Sequence, residues 1–310
     1  MILCCGEALV DFVPIPGSRP GYQPVPGGSS YNTSVALSRL GVPVSFFSKV
    51  STDFFGEMLV KHLRSNGVDT GQVLRSNEPT TLAFVSLPQG EGAEPQFSIY
   101  ANGAADRSLE VAELPGDLPV GVRHLHFGSI SLVLEPGASA YEALMVRERG
   151  RRSLSLDPNI RPALIPDRDA YRRRFESWLE MMDIVRLSQA DLGWLYPGQE
   201  AEGVVTSWLE RGPSICVLTQ GSLGAVAYTA GGIRAAVAAP PTRVVDTVGA
   251  GDTFAAAVLT YLYEIGRLGR AEGMAGLGKT ELQDCLEFAT RAASINCTRP
   301  GADPPYRNEL

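Results

Sequence analysis

The segment Val245-Asp246-Thr247-Val248-Gly249-Ala250-Gly251-Asp252-Thr253-Phe254, followed by the apolar run Ala255–Ile265, sets a carboxylate directly behind a glycine turn at the start of a helix. Two glycines around a small alanine let the backbone approach a ligand closely, and the open N–H groups of the helix start face outward with the positive end of its dipole. Gly249, Ala250 and Gly251 therefore form a candidate anion hole. In the first helical turn, Asp252 is placed to accept a proton from a hydroxyl held beside a transferring phosphate. An ordinary capped helix start carries the same letters, so this segment alone does not choose.

The surrounding segments decide. Gly27-Gly28-Ser29-Ser30-Tyr31-Asn32 is a second glycine turn, opening a helix from Asn32 to Leu40. Asp11 comes after the first strand, Asp157-Pro158-Asn159-Ile160-Arg161 after another, and Thr219-Gln220-Gly221-Ser222-Leu223-Gly224 after a third. One polar cluster at a strand end means little, but several converging on one edge of a sheet describe a binding cleft. A further phosphate motif is rejected. Gly273-Met274-Ala275-Gly276-Leu277-Gly278-Lys279-Thr280 matches the P-loop pattern in its letters, yet it follows Glu264–Arg270 and not the buried strand that a P-loop needs. A surface loop fits better, with Thr280 and Gln283 as a capping box for the run Leu282–Ile295.

The elements that must position these residues are legible in the hydrophobic pattern. From about residue 120, short apolar runs at His124–Gly128, Ser153–Asp157, Ile184–Ser188 and Ile215–Thr219 alternate with amphipathic runs at Ala138–Arg149, Tyr171–Met181 and Val204–Arg211. This is the pattern of parallel strands joined by crossover helices, an α/β doubly wound sheet with its ligand sites at the carboxyl ends of the strands. Ile2–Gly6 reads as another buried strand. The Pro- and Gly-rich stretch Phe12–Pro26 and the alternating stretches Thr80–Ser86 and Pro95–Tyr100, separated by Gly90 and Gly92, read instead as antiparallel edge strands and a hairpin. They predict a small β lid, from about residues 12–26 and 80–101, inserted into one domain that spans 1–310; such a lid excludes water during chemistry.

Composition narrows the partners. The 310 residues, 44% hydrophobic and 20% charged, bury a large core without help from disulfides or metal. With 27 basic against 34 acidic residues the net charge is -7, and the short Arg clusters at 147–152 and 172–174 read as solvated helix faces, so nucleic acid is not an expected partner. The five cysteines (Cys4, Cys5, Cys216, Cys285, Cys297) lack the C-x-x-C spacing of a zinc or redox site. Met1–Cys5 is apolar but unflanked by basic residues and soon interrupted by Glu7 and Asp11, unlike a signal peptide or membrane span. A cytoplasmic location is expected, and the glycosylation patterns at Asn32 and Asn296 are then accidental.

Taken together, these segments resemble the ribokinase-like carbohydrate kinases, the PfkB family, over nearly the whole chain. The family's two signatures stand here as Gly27-Gly28-x-x-x-Asn32 with Ala36-Leu37-Ser38-Arg39-Leu40-Gly41, and as Asp246–Phe254. Asp157-Pro158-Asn159-x-Arg161 and Phe127–Leu132 with Glu135-Pro136 are similar to the fructokinase branch. The resemblance implies a ribokinase-like fold and ATP-dependent phosphorylation of a sugar, D-fructose on its 6-hydroxyl, with 2-keto-3-deoxygluconate or another sugar or nucleoside as the alternative acceptor. It further implies that Asp11, Gly28 and Asn32 hold sugar hydroxyls, that Arg161 reaches the substrate or transferred phosphate, and that Asp252 is the base beside Gly249, Ala250 and Gly251. Thr219, Gly221 and Gly224 would line the ATP phosphates and ribose. In place of the family's N-x-x-E motif, tied to Mg2+ and phosphate through water, stand Ser188 and Asp191, whose oxygens have a shorter reach. Asp246, Val248, Asn296, Arg299 and Gly301 match a monovalent cation site, such as one for K+, although Pro305 replaces a serine ligand. Where fructokinases carry an Arg in the lid, this chain has Ala101. A homodimer through the lid completes the expectations. A non-catalytic sensor of the same fold has no use for a base, so the intact Asp252 favours an enzyme.

Overall fold

The computed structural model describes residues 1–15, 21–86, 96–269, 273–274 and 276–310. In the first part of the chain, β1 (Ile2–Cys5) is followed by β2 (Leu9–Ile15), β3 (Gly21–Gly27), α1 (Ser29–Arg39), β4 (Val44–Ser51), α2 (Phe54–Ser65), β5 (Val73–Ser76), β6 (Thr81–Ser86) and β7 (Gln96–Tyr100). The α/β alternation then runs β8 (His124–Gly128), α3 (Gly137–Glu148), β9 (Ser153–Asp157), α4 (Arg168–Leu179), β10 (Ile184–Ser188), α5 (Gln189–Leu195), α6 (Ala201–Leu209) and β11 (Ile215–Thr219). It closes with β12 (Ala225–Thr229), β13 (Arg234–Val237), α7 (Ala250–Glu264) and α8 (Lys279–Cys297).

Strands β8 to β11 fall where the apolar runs predict them. They join a nine-stranded sheet in the order β13-β12-β11-β10-β9-β8-β1-β4-β5, in which only β12 runs against the others, so that its pairings with β11 and β13 are antiparallel. Successive side chains of a strand point to opposite faces, and β1 feeds both cores: Ile2 and Cys4 belong to the one that includes α1, α2, α7 and α8, while Leu3 and Cys5 belong to the one that includes α3 to α6. Because β1 pairs with β4 on one side and β8 on the other, the strand order reverses there. Such a reversal opens a crevice beyond the carboxyl ends of the strands, and Glu7 after β1 and Ser129 after β8 both lie on it.

The second sheet has four strands in the order β3-β2-β6-β7. Its outer pairs are antiparallel as expected, but β2 and β6 run parallel, with Leu9 opposite Thr81. The correction follows from connectivity, since α1, β4, α2 and β5 lie between β2 and β6 and give the chain length to return in the same direction. Asp11 therefore sits within a strand of this small sheet and not at an end of the large one. The expected hairpin turn at Gly90 and Gly92, and the expected lid residues at 16–20, lie outside the described residues.

Helices begin earlier than periodicity predicts. α1 starts at Ser29 and α7 at Ala250, because Gly28 (φ 113°) and Gly249 (φ 74°) supply the N-cap conformations. α8 starts at Lys279, and the capping carboxylate is Glu281, which accepts the Gly278 N–H at 2.8 Å; Thr280 and Gln283 lie inside the helix and do not cap it. No strand precedes Lys279 among the described residues between α7 and α8, as the rejection of a P-loop requires. All five thiols are free, four of them buried. Among the described residues no helix is long and apolar enough to cross a membrane.

Candidate active site

Asp252 stands in the first turn of α7 and is 6% exposed. Its Oδ1 accepts the Ser29 hydroxyl at 2.7 Å and its Oδ2 accepts the Asn32 amide at 2.9 Å, so α1 and α7, which pack along each other, clamp the carboxylate between their N-termini. Asn159 Nδ2 approaches Oδ1 at 3.5 Å. Burial pushes the Asp252 carboxyl above the ordinary range, opposed by the two hydrogen bonds and by Arg161 and Arg186. Ahead of the first helical hydrogen bond, Thr253 N–H to Gly249 C=O, the Ala250 N–H turns to Thr247 C=O at 3.2 Å. Gly251 and Asp252 then present the forward amides of the helix start.

Two cavities, each of about 410 Å3, meet at this turn and share Thr247 and Gly251 as walls. The first is polar. It collects Asp11, Gly28, Asn32, Arg161, Gly249 and Asp252, and the small sheet closes it with Leu9, Ala83 and Ile99. Strand alternation explains this lining, since Leu9, Asp11, Ala83 and Ile99 share one face while Phe12, Phe84 and Tyr100 share the other. Burial raises the Asp11 carboxyl to about 6 despite the Arg161 charge. The Arg161 guanidinium bonds the Asn159 carbonyl at 3.0 Å and its side-chain oxygen at 2.7 Å, holding the turn after β9 in shape.

The second cavity is more apolar. Thr219, Gly221 and Gly224 line it after β11, with Ala250, Gly251, Phe254 and the wall Ala239–Pro241 opposite. At the boundary lies Arg186 of β10, 8% exposed, which bonds Asp157 Oδ2 at 2.7 Å and Thr219 Oγ1 at 2.6 Å.

Ser188 and Asp191 line neither cavity. They form a reciprocal cap at the start of α5, with Asp191 Oδ2 accepting Ser188 N–H at 3.1 Å and Oδ1 accepting the Ile160 N–H at 2.9 Å. Both carboxylate oxygens are thus engaged inside the protein. Asp246, Val248, Asn296 and Gly301 do assemble beside α7: Asp246 accepts the Val248 and Gly301 amides at 3.0 and 2.7 Å, and Asn296 Nδ2 donates to Val248 C=O at 2.8 Å. Arg299 directs its side chain to Asp303 and Glu309. Of this set, Val248 alone lines either of the two cavities, the polar one.

Sequence reasoning passed over four residues at the site: Glu7, Ser29, Asn159 and Arg186. Glu7 Oε1 caps the Ser29 N–H at 2.7 Å. Asn159 adopts a left-handed backbone (φ 37°) that turns its amide toward Asp252. For Arg186 a signal existed, because a cation inside the apolar strand Ile-Val-Arg-Leu-Ser demands a buried partner. Ser29 had none beyond its place in the glycine turn.

Comparison with known proteins bears on this geometry. The family model described as pfkB family carbohydrate kinase matches residues 1–309. A fructokinase of Rhizobium leguminosarum bv. trifolii is 40% identical over 264 residues, covering 84% of this chain and 79% of the relative. Fructokinase-1 of Oryza sativa subsp. japonica is 34% identical over 318 residues, covering 100% of this chain and 95% of the relative. Among solved structures, fructokinase with bound ATP from Xylella fastidiosa superposes with a TM-score of 0.88 at 27% identity, over 97% of this chain and 93% of that one.

Proposed function

The chain belongs to the pfkB family of carbohydrate kinases, and on that footing we propose that it is a fructokinase transferring the γ-phosphoryl of ATP to the 6-hydroxyl of D-fructose. The observation that carries this is the buried Asp252 at the junction of a polar and a more apolar cavity. Fructose occupies the polar one, its hydroxyls shared among Asp11, Asn32 and the backbone at Gly28, with Arg161 beside the acceptor. ATP occupies the other, its phosphates and ribose along Thr219, Gly221 and Gly224. Asp252 takes the proton as the sugar oxygen bonds to the γ-phosphorus and the bond to the ADP oxygen breaks; the glycine-turn amides receive the equatorial charge. Burial raises the affinity of Asp252 for protons, the direction that helps a carboxylate accept one, while the Ser29 and Asn32 hydrogen bonds and the Arg161 and Arg186 charges oppose that rise. Asp11 and Asp252 face one Arg161 in the polar cavity, and that excess of acids disfavours a carboxylated acceptor such as 2-keto-3-deoxygluconate.

Mg2+ would accompany ATP and offset phosphate charge, but Asp191 does not fit as its direct carboxylate ligand, since it lines neither cavity and caps α5; activity after chelation and metal add-back tests the requirement. The Asp246 carboxylate has no ion-pair partner among the described residues and lies beside the Val248 and Gly301 backbone, a donor set that fits a monovalent cation such as K+. With the carbonyls of Asn296 and Arg299 it would hold a fixed positive charge behind the anion hole, and exchange of K+ for a large organic cation reads this out. The small sheet serves as the lid. Its outer face carries Phe12 stacked on Phe84 at 4.6 Å, with Tyr22 and Tyr100 edge-on and Tyr100 65% exposed, and a second copy docks there; sedimentation velocity distinguishes dimer from monomer. The free thiols suit a reducing cytoplasm.

The deciding experiment is ATP-dependent phosphorylation of a panel of sugars, acid sugars and nucleosides. Fructose should give the highest kcat/KM and a 6-phosphate by phosphorus NMR. A clearly better acid sugar or nucleoside would overturn the substrate, and no turnover on any acceptor would overturn the enzyme.

A further inference from the structure

Arg186 is a charged residue in the middle of the nine-stranded sheet, between Val185 and Leu187, which are fully buried on the opposite face. Keeping a cation there is costly unless it is paired and hydrogen-bonded. Asp157 at the end of β9 supplies the counter-charge at 2.7 Å, with Asp191 and Asp252 close enough to favour the charged guanidinium. This pairing is incomplete. Arg186 Nε and Asp157 Oδ1 are both buried without a protein partner among the described residues, which is more than a purely structural ion pair would leave open.

The other contacts of the guanidinium all face the second cavity. Nη2 donates to Thr219 Oγ1 at 2.6 Å. A threonine hydroxyl has one proton, and with its oxygen occupied by this donor the proton is directed away from Arg186. Among the described residues that proton finds only Leu187 C=O at 3.4 Å, a weak bond. The guanidinium also lies against Gly251, where an added Cβ would come within 2.9 Å of Nη1, and it rests 5.8 Å from the centre of the Phe254 ring. Arg186 is moreover the only cation lining the second cavity among the described residues. A ligand with several negative charges needs more positive potential there than backbone amides provide.

We propose that Arg186 is a positioning residue for the nucleotide: it orients the Thr219 hydroxyl as a donor to the polyphosphate and fixes Gly251 at the point of phosphoryl transfer. The polyanion it serves is a nucleoside triphosphate, so the proposal rests on the kinase reading above. Through Asp157 it also ties the turn that carries Asn159 and Arg161 to the nucleotide side. One side chain thus spans the two cavities.

The test compares Arg186→Met, Asp157→Asn/Arg186→Met and Thr219→Val with the wild-type chain. Arg186→Met alone strands the Asp157 carboxylate in the interior, a change that can unfold a protein, whereas the double variant removes both charges. Calorimetric titration with ATP alone, in the absence of sugar, should show Kd raised roughly 10- to 100-fold in the double variant, the cost of hydrogen bonds involving a charged group. Adding Thr219→Val to the double variant should weaken binding less than Thr219→Val does in the wild type, because both changes act on one hydroxyl. KM for fructose at saturating ATP should change less than the Kd for ATP, since Asp11, Asn32 and Gly28 keep their sugar contacts and only the tie to the Asn159–Arg161 turn is lost. Wild-type ATP affinity in the folded double variant, or full additivity with Thr219→Val, overturns the proposal. If the wild-type protein turned over no sugar, the kinase reading would fail, yet the ATP titrations would still decide the role of Arg186.

Discussion

Glu7 offers a quantitative check on how the site is built. Its carboxyl is 2% exposed, with Oε1 holding the Ser29 amide at 2.7 Å and Oε2 buried without a partner among the described residues. Burial raises it from 4.5 to about 7; the Ser29 amide pulls it down, and Asp106 nearby pushes it up. Between those values the folded protein keeps a proton that the unfolded chain releases. The resulting stabilisation is complete below about 4.5 and is lost as the pH rises through about 7, so between pH 5 and 8 it falls by roughly 2–3 kcal/mol. Glu7→Gln keeps an oxygen for the Ser29 amide and has no proton to lose. Urea unfolding of both proteins at pH 5 and pH 8 should therefore show the variant gaining roughly 2–3 kcal/mol on the wild type as the pH rises, with unchanged m values. Stability curves that stay parallel across this range would refute the reasoning, because they would mean that Glu7 titrates alike in both states.

Asp252→Asn should lower kcat by roughly 10²- to 10⁴-fold while calorimetry finds ATP affinity unchanged, since the amide keeps the shape but not the proton acceptor. Asp11→Ala should cost about 1–3 kcal/mol in kcat/KM for fructose, measured at saturating ATP, through lost or unsatisfied hydrogen bonds. Lys279→Ala should leave steady-state kinetics near wild type, because Lys279 opens α8 away from both cavities.

The sequence made the large sheet legible wherever apolar runs were short and bounded, as in Ser153–Asp157 and Ile215–Thr219, and these ends carry much of the site. Two things escaped it. Strand direction in the small sheet depends on what lies between β2 and β6, and no local pattern around Asp11 encodes that. Residues that act on other residues also left little trace. Ser29 looked like turn filler and Glu7 like a charge interrupting an apolar start, yet together they form a chain from the end of β1 to Asp252. Ser188 and Asp191 show the converse: their letters match a ligand-binding motif, while the fold sets their oxygens on a helix cap and on the Ile160 amide.

The glycines of the two signatures carry a meaning beyond ligand approach. At Gly27 an added Cβ would lie 2.2 Å from Asp11 Oδ2, and at Gly28 2.6 Å from the Glu7 carbonyl, so a side chain at either would collide with the acidic segment before it met any ligand. Gly251 stands in the same relation to Arg186, at 2.9 Å. The space reserved at each turn is thus filled by the protein itself, by the Asp11 carboxylate, the Glu7 backbone and the Arg186 guanidinium. Buried acids with raised proton affinity, at Glu7, Asp11 and Asp157, are tolerable because they are few and each has a hydrogen-bond or cationic partner in a neighbouring element. Moving any of these turns outward by a methyl group would shift a charged partner as well as the backbone. That coupling accounts for glycine at these positions even where no ligand would touch the missing Cβ.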